Sequence, residues 1–246
     1  PDRTIGMEIL LRVAMGLIAF LFTYLISGKR VFSFFGKGTL YSFKRLKILC
    51  IPSFVLTVLL LCFLPMQETL QNDWTVRLIE YLLLFLSVGF FEEMAYRVLI
   101  NEAMVKSFSE KKHIFLYTAI VSALLFGVTH ILGSSFHSAI EIITGVLKTV
   151  SAGMLGTAFL FLFWKTGNIL GAMLIHVLYD FVPLLPSVLY ENKNSLKIEY
   201  VMDGTNGKIA IIGYVISILW AFYILRSLWK KELKDFDFEE LRRLYL

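Results

Sequence analysis

The chain has 246 residues, of which 57% are hydrophobic, with a mean hydropathy of +0.72 and a formal net charge of +5. Soluble domains are nearer half apolar and lack repeated runs of about 20 apolar residues, so the composition argues against a soluble globular fold. The positive balance does not point to nucleic acid, because the basic residues cluster in the connections between apolar runs, where membrane topology places them.

Seven apolar runs are predicted to span a bilayer, at about 5–27, 46–65, 76–103, 114–132, 140–164, 168–190 and 209–229. The expected fold class is all-α, a polytopic membrane helical bundle of about seven transmembrane helices in a single domain over 1–246. The chain begins with Pro1, which leaves room for a further span ahead of it. The first run is too long for the apolar region of a signal peptide. Cys50 and Cys62 share the second run. On a helix they lie about 18 Å apart, too far for a disulfide.

The connection at 28–47 carries Lys29, Arg30, Lys37, Lys44, Arg45 and Lys47, and that near 104–113 carries Lys106, Lys111 and Lys112. Lys165 precedes the sixth run, and the tail holds Lys230, Lys231, Lys234, Arg242 and Arg243. The connections at 66–75 and 133–139 hold no Lys or Arg. The positive-inside rule therefore predicts an N-terminus outside and a C-terminus in the cytoplasm, with a bacterial cell membrane as the expected location. The long outer connection at 191–208 has Asp203-Gly204 and Asn206-Gly207 as turn signals, and Lys197–Val201 reads as a short strand. The tail over 230–246 reads as cytoplasmic with a short interfacial helix.

The third run contains Glu92-Glu93-Met94-Ala95-Tyr96-Arg97. Ionisable groups at membrane depth cost about 2.5–3.5 kcal/mol each on insertion scales, so three within one and a half turns point to function. Glu93 and Arg97 are four apart and share a helix face, where they can pair. Glu92 is turned about 100° away with Tyr96 as its neighbour four residues on, and is left as a free base in a low-dielectric setting. The alternative is an ion network that only fixes helix packing.

Phe126-Gly127-Val128-Thr129-His130 lies late in the fourth run, and Gly127 and Ala123 predict a close helix approach there. His176-Val177-Leu178-Tyr179-Asp180 lies in the sixth. Four-residue spacing lets Asp180 orient the imidazole, or lets both face one cavity. At 1.5 Å per residue, Glu92 lies about 16 Å, His176 about 12 Å and His130 about 24 Å from the cytoplasmic end of their runs, so His130 is the outlier. Glu8 and Arg12 read as an i,i+4 pair, and Lys148 is expected to snorkel rather than face the cavity. Gly145, Gly153, Gly156, Gly167 and Gly171 allow close helix contacts.

Taken in order, Glu-Glu-x-x-x-Arg at 92–97, Phe-x-x-x-His at 126–130 and His-x-x-x-Asp at 176–180 resemble the CPBP intramembrane proteases, named for CAAX-prenyl and bacteriocin processing and also called the Abi family. Trp164–Ala172 is similar to the family as well, and the likeness covers roughly 85–185. The resemblance implies an endopeptidase working from a cavity in the membrane on a membrane-associated peptide or protein. It implies that Glu92 and His130 activate water, that His176 and Asp180 stabilise the oxyanion, and that Glu93, Arg97, Tyr96 and Phe126 support them.

Eukaryotic CAAX-processing members carry Asn where this chain has Asp180. An ionised carboxylate repels an oxyanion, so an ionised Asp180 would orient His176, and a protonated one would donate directly. Glu92, His130 and His176 are candidate zinc ligands, although no HExxH is present, and a metal-free water attack is the favoured reading. Two other classes stay open: a proton-coupled transporter, and a non-catalytic immunity or scaffold protein with a membrane-protein partner. A bis-histidine haem protein is a remote fourth.

Overall fold

The computed structural model describes residues 4–63, 70–190, 200–243 and 245. Helix α1 (Ile5–Ser27) leads through a 3-10 stretch into α2 (Thr39–Leu46), a further 3-10 turn and α3 (Ile51–Phe63). Helix α4 (Trp74–Glu92) continues through a π-helical segment (Glu93–Leu99) into α5 (Ile100–Ser107). Then come α6 (Ile114–Thr129), α7 (Ala139–Thr166), α8 (Leu170–Tyr190), α9 (Gly204–Leu228) with a π-helical extension to Leu233, and α10 (Phe238–Arg243). Among the described residues there is no strand; Tyr200 and Val201 are irregular, and the rest of the expected strand lies outside them.

Five helical runs are long and apolar enough to cross a bilayer: Ile5–Phe35, Trp74–Ser107, Ala139–Thr166, Leu170–Tyr190 and Gly204–Leu233. Leu10, Leu17, Leu21 and Leu25 of α1 and Ile209, Ile212, Ile216 and Leu219 of α9 point outward, as lipid-facing side chains do. The chain is an integral membrane protein of all-helical, polytopic architecture. Two of the seven expected spans are shorter. Helix α6 has 16 residues, about 24 Å, and ends at Thr129 rather than 132. Helix α3 has 13 residues and follows directly on the 3-10 turn, and residues 64–65 of that expected span lie outside the described part.

Helix α7 carries much of the core, burying Phe159, Leu160, Leu162, Phe163 and Trp164 between α6 and α9. Its start is fixed by a capping box, Ser138 with Glu141, which satisfies two backbone N–H groups that the helix end leaves orphaned. The turn into α8 is held by fully buried Asn168, whose side-chain amide donates to the Gly36 carbonyl at 2.9 Å.

Helix α4 packs on α1 along one side and on α8 along the other. The α4–α8 crossing is close because position 89 is glycine: a Cβ there would come within 2.9 Å of Val177 Cγ2 and 3.3 Å of the Met173 carbonyl oxygen.

The connections rich in Lys and Arg gather at one end of the bundle. Arg30 lies 3.7 Å from Glu102 and over the Tyr245 ring at 4.1 Å. Tyr245 bonds Asn101 at 2.7 Å, and Asn101 accepts from the Trp164 indole at 2.7 Å. Arg242 donates to the carbonyls of Lys111 and Lys112. The tail is therefore packed: Phe238 of α10 sits against Phe115 at 5.0 Å between ring centres.

Candidate active site

Three carboxylates converge on one buried imidazole. His176 of α8 is 2% exposed. Its Nδ1–H donates to Glu93 Oε1 at 2.8 Å, while its Nε2 lies 3.3 Å from Asp180 Oδ2 and 3.4 Å from Glu92 Oε2. The ring is thus oriented from one side by Glu93 and presents its other nitrogen to Glu92 and Asp180. The latter two distances exceed a good N–H···O bond, which leaves room for a reacting oxygen to tighten the set.

The two adjacent glutamates would point about 100° apart on an α-helix. Here the helix widens into its π-helical segment at Glu93, and both reach the same ring. Local π geometry is frequent at functional sites, and residue spacing gives no signal for it.

Glu93 divides its charge. Its Oε2 lies 3.3 Å from Arg97 Nε, as the i,i+4 spacing predicted, and both side chains are fully buried. The Arg97 guanidinium is stacked over Phe126, with Cζ 3.8 Å from the ring centre, and flanks Phe159 at 5.5 Å. Gly156 makes the niche: a Cβ there would lie 2.5 Å from Arg97 Nη2 and 3.0 Å from the Phe126 ring. Tyr96 closes the group, with its ring 5.2 Å from that of Phe126, and the Thr129 hydroxyl beyond it donates to the Phe126 carbonyl at 2.7 Å.

Glu92 has a partner that its sequence neighbourhood does not announce. Arg12 of α1 places Nη1 3.8 Å from Glu92 Oε1, and also lies 3.9 Å from Glu8 in the expected i,i+4 pair. The carboxylate expected to stand free is therefore held between a cation on α1 and the imidazole on α8.

His130 does not touch the three carboxylates directly. It forms the C-cap of α6, and its Nδ1–H donates to the Phe126 carbonyl at 2.8 Å, which leaves the lone pair on Nε2. Its ring packs on Phe126 at 4.7 Å, and Phe126 also meets His176 at 5.8 Å. The two histidines thus share one phenyl neighbour. Tyr200 covers His130 at 5.5 Å.

Lys148 does not snorkel away. Its Nζ lies 3.9 Å over the Tyr200 ring, within electrostatic reach of Asp180 and Glu92. Arg12, Lys148 and Tyr200 are the site neighbours that spacing arguments missed. A charge inside an apolar run was the available signal for the first two.

Of the candidate zinc residues, Glu92 and His176 lie together, while His130 meets them through the Phe126 ring, which packs on both histidines. Among the described residues no three His, Cys, Asp or Glu side chains are grouped as metal ligands. Both histidines engage an oxygen through Nδ1, the Phe126 carbonyl for His130 and Glu93 for His176, which leaves Nε2 as the ring nitrogen open to any further partner.

Residues 73–182 match the family model described as type II CAAX prenyl endopeptidase Rce1-like. The match takes in every motif above from Glu92 to Asp180 and leaves Arg12 and Tyr200 outside it. No curated protein and no solved structure matched the chain.

Proposed function

Since the chain belongs to the CPBP intramembrane proteases through its Rce1-like core, we propose that Glu92 is the base that activates water for peptide-bond hydrolysis. The observation that carries this reading is the imidazole of His176, locked by Glu93 through Nδ1 and facing Glu92 and Asp180 through Nε2.

Glu92 takes a proton from water, and the resulting hydroxide attacks the scissile carbonyl carbon. The protonated His176 ring donates its Nε2–H to the oxyanion, where a preorganised donor is worth about 10²–10³ in rate. Glu92 then hands its proton to the departing amine nitrogen as the C–N bond breaks, restoring the carboxylate. Asp180 orients Nε2 and disperses the imidazolium charge. His130, which meets the site through the Phe126 ring, acts in this reading as a positioning residue that holds that ring against His176.

The substrate class proposed first is a prenylated C-terminal CAAX peptide, the class that the family description names. A bacteriocin leader, a pheromone precursor and a membrane-protein segment follow. The proposed orientation has the basic end of the bundle in the cytoplasm of a bacterial cell.

The test is cleavage of a quenched farnesyl-CAAX peptide by the purified protein in proteoliposomes, with and without exhaustive chelation. Glu92→Gln is expected to lower kcat by about 10³ or more while far-UV dichroism is unchanged. Wild-type cleavage by Glu92→Gln would sink the mechanism. Loss of activity on chelation, with recovery on added zinc, would overturn its metal-free form. A wild-type cellular phenotype from the inactive variant would favour the immunity or scaffold reading.

A further inference from the structure

At the basic end of the bundle, away from His176, a cavity of about 460 Å³ opens between the α2–α3 segment and the end of α9. Its rim carries Lys44, Arg45, Lys47 and Lys231, with Glu232 as the one carboxylate among the lining residues. That carboxylate is already engaged: Arg45 Nε lies 2.9 Å from Oε1, and the Tyr41 hydroxyl donates to Oε2. Lys44, Lys47 and Lys231 are exposed and make no ion pair among the described residues. Three cations thus line one space and pair with no carboxylate among the described residues.

The rest of the lining is apolar. Ile51 and Tyr223 are 47% and 58% exposed on the lipid-facing side, and Ile224 and Leu228 form a buried floor. Half-exposed Trp229 follows directly, as aromatic side chains do at a membrane–water boundary. The walls are fixed to each other, since the Trp220 indole on α9 donates to the Ile48 carbonyl at 3.1 Å. Cationic rim and greasy flank match a molecule that has a phosphate at one end and acyl chains at the other.

We propose that this cavity binds the headgroup of an anionic phospholipid, with Lys44, Lys47 and Lys231 on the phosphate and the acyl chains along Ile51 and Tyr223. The assignment depends on the membrane fold and not on the proteolytic reading. Because α2 and α3 both pack on α8, an occupied cavity braces the helix that carries His176 from the opposite end.

The experiment is native mass spectrometry of the full chain released from detergent, titrated in turn with dioleoylphosphatidylglycerol, dioleoylphosphatidylcholine and inorganic phosphate. Near a membrane surface each Lys is worth about fivefold in affinity for an anionic lipid. The phosphatidylglycerol adduct is therefore expected to exceed the phosphatidylcholine adduct by at least about tenfold. The triple variant K44Q/K47Q/K231Q should lose that preference. The control K111Q/K112Q/K234Q removes equal charge from the same end outside the cavity and should keep it.

Unchanged thermal unfolding of both variants is the fold check, and Lys47→Gln alone, expected to give a partial loss, replaces the triple variant if that fails to fold. Equal loss in the control would reduce the effect to bulk surface charge and overturn the proposal. So would a preference that survives the triple variant, or inorganic phosphate displacing the lipid at equal concentration.

Discussion

Arg12 Nη1 lies 3.8 Å from Glu92 Oε1, while the other oxygen of Glu92 lies 3.4 Å from His176 Nε2. The proposed base is thus suspended between α1 and α8, with one oxygen restrained and one aimed at the reacting centre. Arg12 is a positioning residue in this arrangement. Its ion pair is long and its side chain 33% exposed, so its worth is bounded at about 1 kcal/mol, or about fivefold in rate. Arg12→Gln should lower kcat by about that factor at unchanged KM, and Arg12→Lys should recover most of it. Steady-state kinetics on the farnesyl peptide decides this, and an unaltered kcat in Arg12→Gln would remove Arg12 from the site.

Glu93 is the acceptor for two cationic or donor groups at once, Arg97 and His176, all within a dry interior. Removing one partner of such a pair strands the other charge, at a cost of about 3–5 kcal/mol. Glu93→Gln should therefore unfold markedly earlier in detergent. Adding Arg97→Met removes the stranded cation and should recover much of that stability without recovering activity, because His176 still lacks its carboxylate. A double variant with wild-type turnover would show that the Glu93–His176 bond is dispensable.

How far the sequence reveals this site depends on which contacts are local. The Glu93–Arg97 pair follows from four-residue spacing, and the close approach expected at Ala123 and Gly127 is realised against α7, where Gly153 leaves the Ala123 carbonyl 2.9 Å from where its Cβ would be. The clustering of Lys and Arg likewise reports which connections share an end of the bundle. Other features have no local signature. Ile131 and Leu132 continue the apolar run past His130, with Gly133 the first stop signal, so the earlier end of α6 and the capping position of His130 were hidden. Arg12 reaching Glu92 and Lys148 turning toward Tyr200 depend on which helices become neighbours, which periodicity along one helix does not encode. The π-helical turn is a tertiary compromise at Glu93, and it gathers side chains that α-helical geometry would separate.

Gly89 sets how closely α4 approaches α8, one turn before Glu92. A methyl group at this position meets Val177 Cγ2 at 2.9 Å and the Met173 backbone oxygen at 3.3 Å. The side-chain atom can yield but the carbonyl resists, so the helices must part. Overpacking of this kind costs about 1–3 kcal/mol. A displacement near 1 Å between base and donor can cost about 10² in rate. Gly89→Ala should consequently lose far more activity than stability. Parallel measurement of kcat and detergent melting separates the two, and proportionate losses would point to simple destabilisation.

Asp180 decides between two assignments of the oxyanion contact. Its Oδ2 lies 3.3 Å from His176 Nε2, and at 28% side-chain exposure it is the most accessible of the three carboxylates. If Asp180 only orients the imidazole, then Asp180→Asn retains an oxygen that can accept from Nε2–H, and its amide can donate to the oxyanion. The expected result is a modest fall in kcat, about tenfold, against about 10³ or more for Glu92→Gln. Asp180→Leu offers neither acceptor nor donor and should fall much further. If Asp180 were instead the base, Asn and Leu would be equally inactive and Glu92→Gln would retain turnover. Comparing the three variants on one substrate therefore assigns the proton acceptor without reference to any metal or to the pH profile.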